Sequence, residues 1–234
     1  MSTLPAPPRA DGLLRWLESA PGYLGRAASR ERRLRGKARN QAAFDAALAR
    51  LRPGDICHDL GANVGEVTRR MAATGARVHA WEPDPDTFEK LQAAMGELPN
   101  VTLHRAAVGA EDGTVTLRRM IPRRGSRLDP SLGSSVVMEN PQMSREDCVE
   151  VEQVAFRRVL ETGGGHAALI KMDVEGAEVP ILRALVADGP EAARFDAMFV
   201  ETHEWQEPRL HPEIVALRRA LAAPGWPAIN LYWH

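Results

Sequence analysis

Four clusters of residues have types and spacings that could do chemistry. The first is Asp55-Ile-Cys-His-Asp-Leu-Gly-Ala-Asn-Val-Gly65, which reads as a short buried strand through Leu60, a glycine turn, and a helix starting near Val64 or Glu66. Glycine lets a backbone approach a ligand closely, and a helix N-terminus offers unpaired N–H groups. A dinucleotide site needs three glycines in G-x-G-x-x-G to seat a pyrophosphate. Here only Gly61 and Gly65 are present, with Asp59 two residues ahead of the first. The pattern therefore points to a ligand without a pyrophosphate, its amino-acid-like part lying over Asp59, Gly61, Asn63 and Gly65.

The second cluster is Glu82-Pro83-Asp84-Pro85, which follows the strand-like run Arg77–Trp81. Glu82 falls where a ribose-binding acid is expected, about 20 residues after a nucleotide loop. The third is Ile170-Lys-Met-Asp-Val-Glu-Gly-Ala-Glu178. Asp173 ends a buried strand there, and Asp173, Glu175 and Glu178 could alternatively hold a divalent cation through oxygen. Glu178 also suits the first turn of the helix that follows, for electrostatic reasons. The fourth is Glu201-Thr-His203-Glu204, just after the strand Phe195–Val200. His203 titrates near neutrality and is the best general-base candidate. Each cluster has a plainer reading: an ordinary strand-to-helix turn, a solvated strand-end acid, a capped helix, a structural histidine.

These residues must be positioned by something, and the pattern between them supplies it. Strand 56–60, helix 65–74, strand 77–81, helix 85–95 and strand 101–108 alternate, which argues for a parallel sheet wrapped by helices. Further strands are expected at 167–172, 195–200 and 230–233, an extended segment at 113–120, an edge strand at 149–154, and short helices at 156–162 and 213–222, with His211 in a loop. Ligands of such sheets bind beyond the carboxyl ends of the strands. Asp59, Glu82, Ala107, Asp173 and His203 all fall there in this reading.

Taken together, Asp59–Gly65, Glu82-Pro83 and Ile170–Glu178 resemble the FkbM family of S-adenosylmethionine-dependent methyltransferases, from roughly Gln41 to the C-terminus. The third motif is the most family-specific. The resemblance implies a Rossmann-like class I methyltransferase fold, S-adenosylmethionine as donor, and O-methylation of a hydroxyl on a sugar, lipid or natural product. It also implies that Ala106 and Ala107 run beside the adenine, that Ser134 in Gly133-Ser134-Ser135 lies near the donor, and that Asp173 faces the methyl group. Class I methyltransferases commonly close with a two-stranded hairpin, and the C-terminus here is short for that. An NAD-dependent oxidoreductase would need the missing third glycine. A methyltransferase acting on RNA or protein would share every donor feature. A non-catalytic, methyltransferase-like binding module would be expected to have lost some of them.

Composition bounds the rest. The 234 residues suit one α/β domain, 51–234, with a helical N-terminal extension, 1–50. Residues 120–145, rich in proline and glycine, read as a lid or insertion. Apolar content of 44% and charged content of 26% are ordinary for a globular protein, and the net charge of −1 does not suggest nucleic acid. Two cysteines make no disulfide framework and fit a reducing, cytoplasmic setting. No apolar run approaches the roughly 18 residues of a membrane span. The extension is distinctive: residues 1–50 carry ten basic and four acidic side chains, net +6, and the remainder is net −7. A solvated helical cap is the plainest account, and an anionic partner, a membrane surface or an acidic face of a second subunit are the functional ones.

Overall fold

The computed structural model describes residues 12–120, 143–204 and 207–233. Its centre is a six-stranded sheet in the order β3-β2-β1-β7-β8-β9, every neighbouring pair parallel. The strands are β1 (Ile56–Leu60), β2 (Arg77–Trp81), β3 (Val101–His104), β7 (Ala167–Met172), β8 (Phe195–Val200) and β9 (Ala228–Asn230). Helices α3 (Glu66–Ala72), α4 (Pro85–Met95), α6 (Glu178–Asp188) and α7 (His211–Leu221) make the crossovers. This is the Rossmann-like α/β arrangement expected of a class I methyltransferase. The strand order turns at β1, so the chain leaves β1 and β7 in opposite directions, and a crevice forms at their carboxyl ends.

Both faces of the sheet are buried, as helical crossovers require. One face gathers Leu60, Trp81, Ile170, Met172, Met198 and Val200 under α5 (Phe156–Glu161), α6 and α7. The other gathers Cys57, Val78, Leu169 and Phe199. Cys57 is fully buried, and burial pushes its thiol up to about 12, as an inert apolar thiol.

A second sheet of three strands, in the order β4-β6-β5, stands beside the first. It comprises β4 (Ala107–Gly109), β5 (Gly113–Met120) and β6 (Met143–Ala155). Three readings of the sequence are corrected here. The stretch 101–108 is not one strand: β3 stops at His104, and Ala107 starts β4 in the other sheet, packed with Leu117 and Val151. Its pairing with β6 is close, since a Cβ on Gly109 would lie 2.3 Å from the Gln153 side chain. The 149–154 run is the middle of its sheet and not an edge. His211 opens α7 and is buried, its Nε2 3.0 Å from the Glu18 carbonyl. The C-terminal strand is Ala228–Asn230 and pairs parallel with β8, so the described sheet ends without a hairpin. The 120–145 lid reading falls almost wholly on residues outside those described, as does Ser134.

The N-terminal extension forms α1 (Gly12–Leu17) and one continuous helix, α2 (Gly22–Leu48). The end of α2 packs on the sheet through Phe44, whose ring meets those of Phe199 at 5.2 Å and Trp233 at 5.0 Å. Its start is held by buried charge: Glu18 and Glu204 flank Arg218, with Nη1–Oε1 and Nη2–Oε1 distances of 2.6 and 2.8 Å. Glu18 also pairs with Arg32, and Ser29 Oγ donates to Glu204 at 2.8 Å. Burial favours the neutral acid at Glu204, but Arg218 outweighs it and holds the carboxyl at about 2.

Candidate active site

The carboxyl edge of the sheet brings four of the sequence-predicted elements together: the turn after β1, Glu82 after β2, the loop after β7 and the loop after β8. The backbone turn at Gly61–Gly65 is built tightly. Gly61 has φ +74°, and a Cβ there would sit 1.8 Å from the Asp173 carbonyl oxygen. Gly65 has φ +90°, and its Cβ would meet Leu91 and Met95 of α4 at 2.8 and 2.9 Å. Both glycines are therefore demanded by protein packing, in addition to any ligand. Between them Asn63 holds φ +52°, a conformation that costs a non-glycine residue about 1–3 kcal/mol.

Asn63 and Glu82 meet. The Asn63 N–H donates to Glu82 Oε2 at 2.9 Å, and the Asp84 N–H donates to Oε1 at 2.9 Å. Glu82 is buried, and burial raises its pKa to about 7 although both N–H bonds favour the anion. Each oxygen keeps a free lone-pair direction for further donors. Asp84 caps α4 by accepting from the Asp86 and Thr87 N–H groups, and it is gripped by Arg119 of β5, Nε to Oδ2 at 2.8 Å and Nη2 to Oδ1 at 3.2 Å. The second sheet thus holds the Glu82 loop in place.

Asp59 is fully buried and accepts from Thr68 Oγ1 at 2.6 Å. Its other oxygen lies 3.3 Å from Lys171 Nζ, which is itself 3.7 Å from Asp173 Oδ2 and donates to the Gly61 carbonyl. Burial opposes the charge on Lys171, but Asp59 and Asp173 outweigh it and raise its pKa. Lys171 links the Gly61–Gly65 turn to the loop after β7. Its signal was present in the sequence, a lysine inside the apolar run Ala167–Met172, but only the fold gives it partners.

Asp173 and His203, predicted as catalytic, are neighbours: Nε2 of His203 lies 3.5 Å from Asp173 Oδ1 and 3.3 Å from Glu175 Oε2. Nδ1 of His203 lies 2.9 Å from Glu178 Oε1. Glu178 is fully buried and also accepts the Val174 and Gly176 N–H groups at 3.1 and 2.9 Å. It therefore closes the turn after β7 and orients the imidazole. Burial pulls the His203 pKa down, yet Glu178, Glu175 and Asp173 together lift it well above its ordinary value. Glu175, at φ +50°, has its carboxyl raised to about 7 by burial. Asp173, Glu178 and His203 each offer a ligand atom within 4.8 Å of the others, so a cation could be gathered there. The Glu178 carboxylate is already committed to two N–H groups and a histidine, which suits a positioning role better. Ala107 lies in the second sheet, buried with Leu117 and Val151.

This geometry can be set beside known proteins. Residues 59–223 match the methyltransferase FkbM domain. The hexuronic acid methyltransferase AglP of Haloferax volcanii is 26% identical over 157 residues, 66% of this chain and 59% of AglP, so the chain spans somewhat over half of that relative's length. The ribosomal RNA small subunit methyltransferase A of Thermotoga neapolitana is 42% identical over 55 residues, 24% of this chain and 21% of that protein. Among solved structures, precorrin-6y C5,15-methyltransferase from Geobacter metallireducens aligns with a TM-score of 0.38 at 11% identity, covering 76% of this chain and 71% of its own. PH1948 from Pyrococcus horikoshii, named a putative RNA methyltransferase, aligns with a TM-score of 0.36 at 13% identity, covering 90% and 70%. The family match covers most of the chain, including every described residue of the candidate site, and the chain belongs to the methyltransferase FkbM family.

Proposed function

We propose that this FkbM-family protein uses S-adenosylmethionine to methylate a hydroxyl oxygen of a sugar, with His203 taking the hydroxyl proton. The observation that carries the reading is the Glu178–His203 pair, with Nδ1 anchored at 2.9 Å and Nε2 turned toward the rim beside Asp173. Apart from the 3.5 Å approach of His203 Nε2, the buried Asp173 Oδ1 has no hydrogen-bond partner among the described residues, which leaves a place for a polar group there. An acceptor hydroxyl would satisfy it. The sugar is suggested by the relative's name, a hexuronic acid methyltransferase.

The donor-side residues fit the proposed donor. Glu82 offers lone pairs for the two ribose hydroxyls, and the Gly61–Gly65 turn lies where the amino-acid portion would rest. When bound, the donor supplies a methyl already activated by its sulfonium. The chain must therefore hold the acceptor oxygen in line, exclude water and remove a proton. Asp173 would orient the hydroxyl, His203 Nε2 would receive its proton, and Glu178 would stabilise the imidazolium through Nδ1. A metal at the Asp173 cluster would be an alternative means of acidifying the hydroxyl.

The test is label transfer from methyl-labelled S-adenosylmethionine to a panel of glycans, uronic acids and hydroxylated metabolites, with RNA as comparison. Label on a sugar hydroxyl supports the reading. Label on RNA alone would move the acceptor class to nucleic acid, and no label on any acceptor despite donor binding would favour a non-catalytic module.

A further inference from the structure

The described residues have six large apolar side chains that are plainly exposed, and five of them lie between residues 13 and 34: Leu13 at 66%, Trp16 at 72%, Tyr23 at 72%, Leu24 at 54% and Leu34 at 49%. The sixth, Val64, belongs to the Gly61–Gly65 turn. Exposed apolar residues are normal when scattered singly, but concentration on one short segment is not. Leu13 and Trp16 are three apart on α1 and share a face. On α2, Tyr23, Arg30, Leu34 and Lys37 are separated by seven, four and three residues, which puts them on one stripe of the helix. The buried residues Gly25, Ser29, Gly36 and Asn40 line the side of α2 that packs against the protein.

We propose that the exposed residues of α1 and α2 dock on an anionic lipid surface. Three features favour a bilayer over a protein partner. Along the stripe, exposed apolar side chains stand beside cations, so apolar insertion and contact with lipid phosphates would come from one side of α2. The apolar set includes Trp and Tyr, whose rings suit the headgroup level. The charge is mostly basic: residues 12 to 40 carry eight basic side chains and two acids, net +6, with Glu18 buried against Arg32 and Arg218 and Glu31 paired with Arg35.

The face is also held rigidly. Glu18, Ser29 and Arg32 fasten both helices to Arg218, Glu204 and Tyr232 in the interior. Docking would need no unfolding of the extension, so its ordering cost is small. No described helix is long and apolar enough to cross a membrane, so the attachment would be peripheral.

The full chain would be floated with phosphatidylcholine vesicles and with vesicles containing about one-third phosphatidylglycerol. The wild-type chain should float with the anionic vesicles, poorly with the neutral ones, and lose binding as salt shortens the Debye length below about 10 Å. The variant Trp16→Glu/Leu34→Glu should bind roughly tenfold less while its thermal midpoint stays within error, because both side chains are exposed. A second variant, Arg30→Gln/Lys37→Gln, should lose the preference for anionic vesicles. Wild-type protein that stays with the pellet, or Trp16→Glu/Leu34→Glu protein that floats as well as wild type, overturns the proposal. So does a solution dimer that both substitutions dissociate without any vesicle binding, which would make the face a contact between copies.

Discussion

Glu178 Oε1 lies 2.9 Å from His203 Nδ1, and the same carboxylate closes the turn that carries Asp173 by accepting the Val174 and Gly176 N–H groups. One buried acid therefore fixes both the shape of the rim and the direction of the imidazole. It leaves Nε2 facing Asp173 and Glu175, and in the proposed reading this is the atom that takes the acceptor's proton.

Replacing Glu178 by Gln keeps the shape and removes the charge. The carboxylate is a principal cause of the raised His203 pKa, so its loss lowers that pKa. A base works in its neutral form, and for the wild type turnover should rise with pH through the raised pKa. The acid limb of the E178Q profile should therefore move to lower pH, with a plateau roughly tenfold below wild type because Nδ1 is less firmly oriented. A pH–rate profile for the two proteins checks this. A limb that stays put would mean that Glu178 only closes the turn.

Glu82 titrates at about 7 because burial penalises its charge. Ribose hydroxyls donate to the anion, so donor binding should strengthen as pH rises through 7 and weaken below it. Glu82→Gln should weaken binding by about tenfold and flatten that dependence. Calorimetric titration with S-adenosylmethionine at pH values on either side of 7 would show both effects.

Much of the site was legible in the sequence. Asp59, Gly61, Gly65 and Glu82 stand at strand ends, and strand ends can be read from apolar runs and turn residues. Asp173 and His203 were placed on one rim because both follow buried strands, and the fold brings them to 3.5 Å. Glu178 read as a helix acid, and its buried contact with His203, 25 residues away, has no local signature. Arg119 is the clearest miss. It alternates unremarkably in an extended segment, yet it grips Asp84 across the two sheets, a pairing that only the β4-β6-β5 sheet creates. The same sheet removed Ala107 from the main one. Residues Ala106 to Gly109 are small and apolar, and nothing in them distinguishes a strand that continues from one that leaves.

Gly61 and Gly65 should respond differently to alanine. At Gly61 the added Cβ meets backbone, the Asp173 carbonyl at 1.8 Å, whereas at Gly65 it meets the ends of Leu91 and Met95 side chains. Both pay for positive φ, but only the first forces two loops apart. Gly61→Ala should cost several kcal/mol and Gly65→Ala about 1–2 kcal/mol less, as midpoints of denaturant unfolding would record.

If His203 is the base, metal chelation should leave turnover unchanged. A large loss with EDTA that Mg²⁺ restores would instead assign the Asp173, Glu178 and His203 cluster to a cation.

The most direct measurement pairs donor binding with turnover in His203→Gln. The side chain contacts Glu178, Asp173 and Glu175, none of which takes part in the Glu82–Asn63 contact. Calorimetry should give a donor affinity within about twofold of wild type, while turnover on a sugar hydroxyl falls about 10²- to 10⁴-fold. Unchanged turnover, or a loss of donor binding as large as the loss of turnover, would contradict the assignment of His203 as the base.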